Sequence, residues 1–203
     1  MRVIVFGATG KTGRHVVRLA LEHGHEVTAF GRSADRLDPQ PGLIVFKGDV
    51  LDSGAVGAAV EGCDGAVICL GSAGLRDATT LADGTANIVV AAEGCGVGRL
   101  VVLSAAGVGD SWAQIPWSSR LLFKTMLRNI IADHRAQEAV VERSGADWTI
   151  VRSAVLTDKP ATGSVTATKT GPTRRISRAD LAGYLVDQLS DDSLTRQTIS
   201  VTN

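Results

Sequence analysis

The chain has 203 residues, enough for one domain with a sizeable core, and its 44% hydrophobic and 21% charged residues are ordinary for a globular protein. Its 21 Lys and Arg balance 21 Asp and Glu, so no whole-chain field argues for nucleic acid or an anionic membrane as partner; aromatics at 4% argue against a base-stacking surface. No apolar stretch approaches the roughly 20 residues a membrane helix needs, and Val3-Ile4-Val5-Phe6 is too short for a secretory leader, so neither a membrane span nor a secretory segment is expected.

In chain order, residues 2–6 predict a buried strand. Residues 11–23 predict a helix, because Val16, Val17, Ala20 and Leu21 recur at helical spacing, with Gly24 as its stop. Strands follow at 25–30 and 43–46, then a short helix from about Asp52, a strand at 66–70, a helix at 79–93 and a strand at 100–104. This β-α-β-β-α-β-α-β order predicts an α/β fold: a single Rossmann-like, doubly wound domain with a mostly parallel sheet. Continuous apolar runs such as Leu100-Val101-Val102-Leu103 fit a sheet covered on both faces. Next come a loop at 105–118 with Trp112 and Trp117, and a long helix from about Ser119 to Arg143 with Leu122, Met126 and Ile130 on one stripe. Trp148 to Val151 predicts a strand, and 164–168 a short one. Ser177 with Asp180 makes a capping box for a helix, and a strand at 197–201 closes the chain. No linker divides the chain, so residues 1–203 are expected to form one domain, with 105–118 and 152–176 on the substrate side. Cys63, Cys69 and Cys95 lack C-x-x-C spacing. They read as small hydrophobes in a reducing cytoplasm, not as a metal site or disulfide frame.

The stretch GATGKTGRHVV carries Gly7, Gly10 and Gly13 between a strand and a helix, the context of a dinucleotide-binding loop. Gly7 permits the tight turn, Gly10 lets the backbone approach a pyrophosphate, and Gly13 lets the helix pack close. The N–H groups near residues 10–13 then face the anion at the positive helix end. A tight turn without a ligand is the alternative, and the P-loop pattern is absent. An NAD-preferring site ends its second strand on Asp or Glu. Here Gly31 stands at that place, followed by Arg32 and Arg36, which favours NADP(H) over NAD(H). Arg14 is a further candidate for the 2′-phosphate; the alternative for Arg32 and Arg36 is solvated loop charge. Asp49 is a candidate for the adenine amino group, the alternative being that Asp49 or Asp52 caps the next helix. Residues 69–74 border the cofactor ribose.

GATGKTGRHVV, GRSADRL, KGDVLD, ADHRAQEAVVERSGADWTIVR and GPTRRISRADLAGYLV together resemble an NmrA-like atypical short-chain dehydrogenase/reductase. Within that group the chain is most similar to the biliverdin-IXβ reductase/flavin reductase family, with length and motif order matching from end to end. DKPATG and GPTRRIS are the more specific signals. The resemblance implies NADPH-dependent reduction of a small planar acceptor, a flavin, biliverdin-like or quinone-like molecule, by a monomer or small homo-oligomer. It carries cofactor binding onto Gly7, Thr9, Gly10, Lys11, Thr12, Gly13, Arg32, Asp49, Val50, Leu70 and Gly71, and an active-site serine onto Ser104. Two departures stand out. The usual Tyr-x-x-x-Lys pair is replaced by His134-Arg135-Ala136-Gln137-Glu138, and the family's histidine after the sixth strand and arginine after the fourth are replaced by Val155 and Ala73 (Arg76 is near).

Hydride transfer to a conjugated acceptor asks little of protein acids, whereas alcohol dehydrogenation needs one at the oxygen. The missing tyrosine therefore weighs against the latter. Ser104 is a candidate donor to the acceptor or the nicotinamide amide, or else a small strand-end residue bonded to backbone. His134 is a candidate catalytic group or an exposed histidine. Arg152 and Arg174 are candidates for an acidic substrate or the pyrophosphate; Trp112 and Trp117 for stacking on the acceptor or for loop packing. The lost Tyr-x-x-x-Lys also leaves open a non-catalytic NADP sensor, and a scaffold role stays open with no feature to mark it.

Overall fold

The computed structural model describes residues 1–71, 79–114 and 127–203. Their elements run β1 (Arg2–Phe6), α1 (Lys11–Glu22), β2 (Glu26–Gly31), β3 (Leu43–Lys47), α2 (Ser53–Val60), β4 (Gly65–Ile68), α3 (Thr80–Cys95), β5 (Arg99–Ala105), α4 (Arg128–Glu142), β6 (Asp147–Ser153), β7 (Val155–Thr157), β8 (Thr166–Thr168), β9 (Arg175–Ser177), α5 (Arg178–Asp187) and β10 (Gln197–Thr202).

Alternation explains why the strands read as unbroken apolar runs. In β1, Val3 and Val5 enter one core and Ile4 and Phe6 the other, all fully buried. The first core is covered by α1 and α5 through Val16, Val17, Leu181 and Leu185. The second is covered by α2, α3 and α4 through Val56, Val60, Ile88 and Val141. A row of rings stiffens the second core: Phe6 and Phe30 centroids lie 5.1 Å apart, Phe30 and Phe46 5.7 Å.

The sheet order is β3-β2-β1-β4-β5-β6-β10-β8, parallel throughout except that β8 runs antiparallel to β10. The chain first builds outward from β1 to β3 and then returns to place β4 on the other side of β1. That reversal opens a crevice at the carboxyl ends of β1 and β4, where ligands of such sheets bind. Among the described residues no helix is long and apolar enough to cross a membrane.

Local signals act as expected at several element ends. Gly24, with φ +80°, follows α1, and Asp52 caps α2 by accepting from the N–H groups of Gly54 and Ala55. The capping box at α5 is only half formed. Ser177 Oγ accepts from Asp180 N at 3.0 Å, but Ser177 N donates to Asn203 Oδ1 at 2.7 Å. Asp180 instead accepts from the N–H groups of Thr162 and Gly163 and so ties a distant loop to the helix.

The long helix departs from expectation. The helix that is described begins at Arg128, and residues 115–126, with Trp117, Leu122 and Met126, lie outside the described residues. Its buried positions are Asp133, Gln137, Glu138 and Val141, a mostly polar stripe, while Ile130 is half-buried. Apolar periodicity cannot register such a helix, because buried partners rather than oil hold it. Asp133, for one, accepts from Leu81 and Ala82 N–H, both at 3.0 Å, and so caps α3 from across the fold. The small parallel pair β7 and β9 was also not expected; three residues are too few to show a period.

Candidate active site and cofactor cleft

The turn after β1 is built from glycine for steric reasons. Gly7 has φ +77°, and a Cβ there would lie 2.4 Å from the Cys69 carbonyl oxygen; a Cβ on Gly13 would lie 2.2 Å from the Gly7 carbonyl oxygen. The first helical bond runs from Arg14 N to Gly10 O at 3.0 Å. The N–H groups of Lys11, Thr12 and Gly13 therefore have no acceptor within the helix, and the cap, Gly10, brings no side chain to them. This is a cradle for a phosphate. Arg14 does not reach outward to it: its Nε donates to the Thr9 carbonyl at 3.0 Å and braces the loop.

Two cavities meet at this helix end. One, of about 280 Å³, is lined by Gly7, Thr9, Gly31, Arg32, Asp49 and Val50. The other, of about 380 Å³, is lined by Lys11, Thr12, Ser104, His134, Ser153 and Arg178. Both are bordered by Gly10, Cys69, Leu70 and Gly71, so together they form one elongated cleft across the crevice. Burial pushes the Cys69 thiol up to about 12, which keeps it protonated and unreactive.

A dinucleotide lying in this cleft would set its adenosine half in the first cavity, its pyrophosphate on the α1 N-terminus and its nicotinamide in the second. Gly31 closes β2 without a carboxylate, and Arg32 is exposed beside it, with no ion-pair partner among the described residues. Arg36 is exposed on a short 3-10 turn and lines neither cavity. Asp49 lines the first cavity and accepts from Leu51 N at 3.1 Å; the cap of α2 is Asp52 alone. Lys11 borders the cleft, but its Nζ pairs with Asp158 at 2.9 Å, and Asp158 also pairs with Arg178.

In the second cavity Ser104 is buried at the end of β5. Its hydroxyl bonds neither backbone nor open space: Oγ donates to Glu138 Oε1 at 2.7 Å. Arg152 grips that carboxylate with Nε at 2.9 Å and Nη2 at 2.8 Å, and its Nη1 pairs with Asp110. Burial lowers the pKa of Arg152, but the hydrogen bonds and charges of Glu138 and Asp110 more than reverse this, so the guanidinium stays charged. Arg152 is thus a structural ion-pair member and not a free cation for substrate. His134, half-buried on α4, lines the cavity, with Nδ1 3.1 Å from Gln137 Oε1. Burial pulls its pKa below the ordinary value, against the Gln137 bond and the charges of Glu138 and Asp133, so the ring is neutral at pH 7.

Arg174 is exposed and lines neither cavity; the arginine of this segment at the cavity edge is Arg178, four residues on, past β9 at the start of α5. Trp112 is half-buried on the 3-10 turn Gly109–Gln114 and lines neither cavity. Glu138, Asp158 and Arg178 escaped the sequence reading. The acid four residues after His134 was the available signal for Glu138, since that spacing places both on one helix face.

The Rossmann sheet, the glycine cradle and the double cavity define a dinucleotide-binding domain. Residues 7–192 match the NAD(P)H-binding family, and the chain belongs to it. It is 27% identical to a Bacillus subtilis (strain 168) protein named an uncharacterized sugar epimerase, YhfK, over 100% of this chain and 94% of that protein. It is 26% identical to ChuY, an anaerobilin reductase from Escherichia coli O157:H7, whose structure superposes with a TM-score of 0.84 over 100% of this chain and 97% of that one. A Veillonella parvula short-chain dehydrogenase/reductase solved in complex with NADP, 19% identical, shares the fold with a TM-score of 0.85 over 100% of this chain and 94% of that one. Other curated relatives are longer proteins, of which the chain spans 62% in one case and 12% in another.

Proposed function

We propose that the chain reduces a flat, conjugated acceptor of the flavin, biliverdin-like or quinone-like class with NADPH. The observation that carries this reading is the nicotinamide-side cavity itself. His134 and Glu138 occupy the places of the usual Tyr and Lys, and Tyr184, the chain's single tyrosine, lines a separate groove beside α5. A site without a phenolic acid suits an acceptor that stabilises the added electron pair in its own π-system and takes its proton from solvent. Similarity to a protein named an anaerobilin reductase supports the same acceptor class.

NADPH, when bound, supplies the hydride. The protein's own groups do the rest. The N–H groups at the start of α1 hold the pyrophosphate, and Arg32 beside Gly31 meets the 2′-phosphate. Leu70, Leu103 and Leu156 wall the second cavity and limit water around the transfer.

The test is NADPH oxidation by the full chain against riboflavin, FMN, a biliverdin and small quinones, followed by nicotinamide absorbance. Steady turnover with at least one acceptor is expected. Tight NADP+ binding with no oxidation across the panel overturns the proposal in favour of a binding-only role.

A further inference from the structure

Ser104 and His134 face the same cavity, and each has its only proton committed inside the protein. A serine hydroxyl has one O–H, and here it goes to Glu138 Oε1 at 2.7 Å. Arg152 holds that carboxylate at 2.9 and 2.8 Å, so it has no proton to return and the direction of the bond is set. His134 Nδ1 lies 3.1 Å from Gln137 Oε1, an oxygen that only accepts, which puts the ring proton on Nδ1. Gln137 Nε2 donates in turn to Thr85 Oγ1 at 3.2 Å. The neutral ring then keeps a bare lone pair on Nε2. At the cavity edge Lys11 and Arg178 are both paired with Asp158.

We infer that this wall of the cleft presents hydrogen-bond acceptors, Ser104 Oγ and His134 Nε2, and selects a substrate by an N–H edge, an imide, lactam or pyrrole. A quinone offers only carbonyl oxygens to the same wall and leaves both lone pairs unmet. Glu138 and Gln137 are the positioning residues that set this polarity. The inference rests on the proposed reductase reading for the identity of the cavity's occupant, and it narrows that occupant to nitrogen-bearing conjugated systems.

Riboflavin and N3-methylriboflavin differ at one imide N–H and provide the probe. Each is titrated by flavin fluorescence into the protein saturated with NADP+, with NADPH oxidation measured in parallel. Methylation is expected to weaken binding at least about tenfold, the cost of leaving a buried acceptor unpaired. In Ser104→Ala combined with His134→Leu the two flavins are expected to bind within about threefold of each other. Glu138→Ala removes the acceptor of the Ser104 proton, frees the hydroxyl to donate into the cleft and reduces the discrimination; the double variant carries the test if Glu138→Ala does not fold. Equal affinities in the native protein overturn the inference. So do discrimination that persists in the double variant, which shows exclusion by shape, and binding of a quinone such as menadione in preference to riboflavin or of none of the three. Failure of the reductase reading is separately visible, as a flavin preference by fluorescence without NADPH oxidation.

Discussion

Glu138→Ala removes the acceptor of three hydrogen bonds at once: Arg152 Nε at 2.9 Å, Arg152 Nη2 at 2.8 Å and Ser104 Oγ at 2.7 Å. The two charged side chains are 7% and 5% exposed, so water does not replace the lost partner. Among the described residues Arg152 retains only Asp110, which is 84% exposed; pairs of that kind contribute about 0–1 kcal/mol. Taking one member from a buried ion pair costs about 3–5 kcal/mol, a large part of the roughly 5–15 kcal/mol that holds a domain folded. With a urea slope of about 2–3 kcal/mol/M, the unfolding midpoint falls by roughly 1–2.5 M. Arg152→Met strands the carboxylate and costs a similar amount. The double variant Glu138→Ala with Arg152→Met removes both charges, and it is expected to cost at least about 2 kcal/mol less than the two single costs added together. Urea unfolding of the four proteins, by tryptophan fluorescence and far-ultraviolet dichroism together, measures this. A loss below about 1 kcal/mol in Glu138→Ala, or costs that simply add, would refute the buried pair as the strut that ties α4 to β6.

Three further outcomes are expected. NADPH is expected to bind at least about tenfold tighter than NADH, some 1.4 kcal/mol, and Arg32→Ala to erase most of that difference; an unchanged preference in the titration moves the 2′-phosphate site elsewhere. Gly13→Ala places a Cβ against the Gly7 carbonyl, where 2.2 Å leaves no room, so stability falls by about 1–3 kcal/mol and NADPH binding is lost. Wild-type cofactor affinity in that variant contradicts the packing. Asp180 is buried, which raises its pKa, but the hydrogen bonds from Thr162, Ser177 and Gly163 pull it lower still, below the ordinary value. Its stabilising contribution is therefore full above the unfolded pKa near ~3.9 and is lost as pH falls through the lower folded pKa. Asp180→Asn is expected to flatten the decline in stability between about pH 4 and pH 2, and an identical acid profile in both proteins speaks against it.

The cofactor half of the cleft was legible because it is local. One strand, one glycine turn and one helix start lie within about a dozen consecutive residues, and Gly7 and Gly13 are dictated by contacts inside that stretch and to the adjoining β4 end. The strand at Gly31 was equally readable, since an absent carboxylate and a following arginine need no distant partner to be noticed. The fold class was legible for the same reason: alternation within single strands already implied two covered faces.

The acceptor half was not, because its polarity is made between elements. Ser104 is opposite Arg152 only through the parallel register of β5 and β6, and Glu138 joins them from α4. Nothing in a serine's sequence neighbourhood says whether its hydroxyl will donate into a cleft or into a buried carboxylate. The sequence by itself determined a Rossmann sheet and a phosphate cradle, which depend on backbone sterics and hydrophobic period. Tertiary structure alone decided the partners of Ser104 and His134, Glu138 and Gln137, because a hydrogen bond depends on the group that folding brings to its other end.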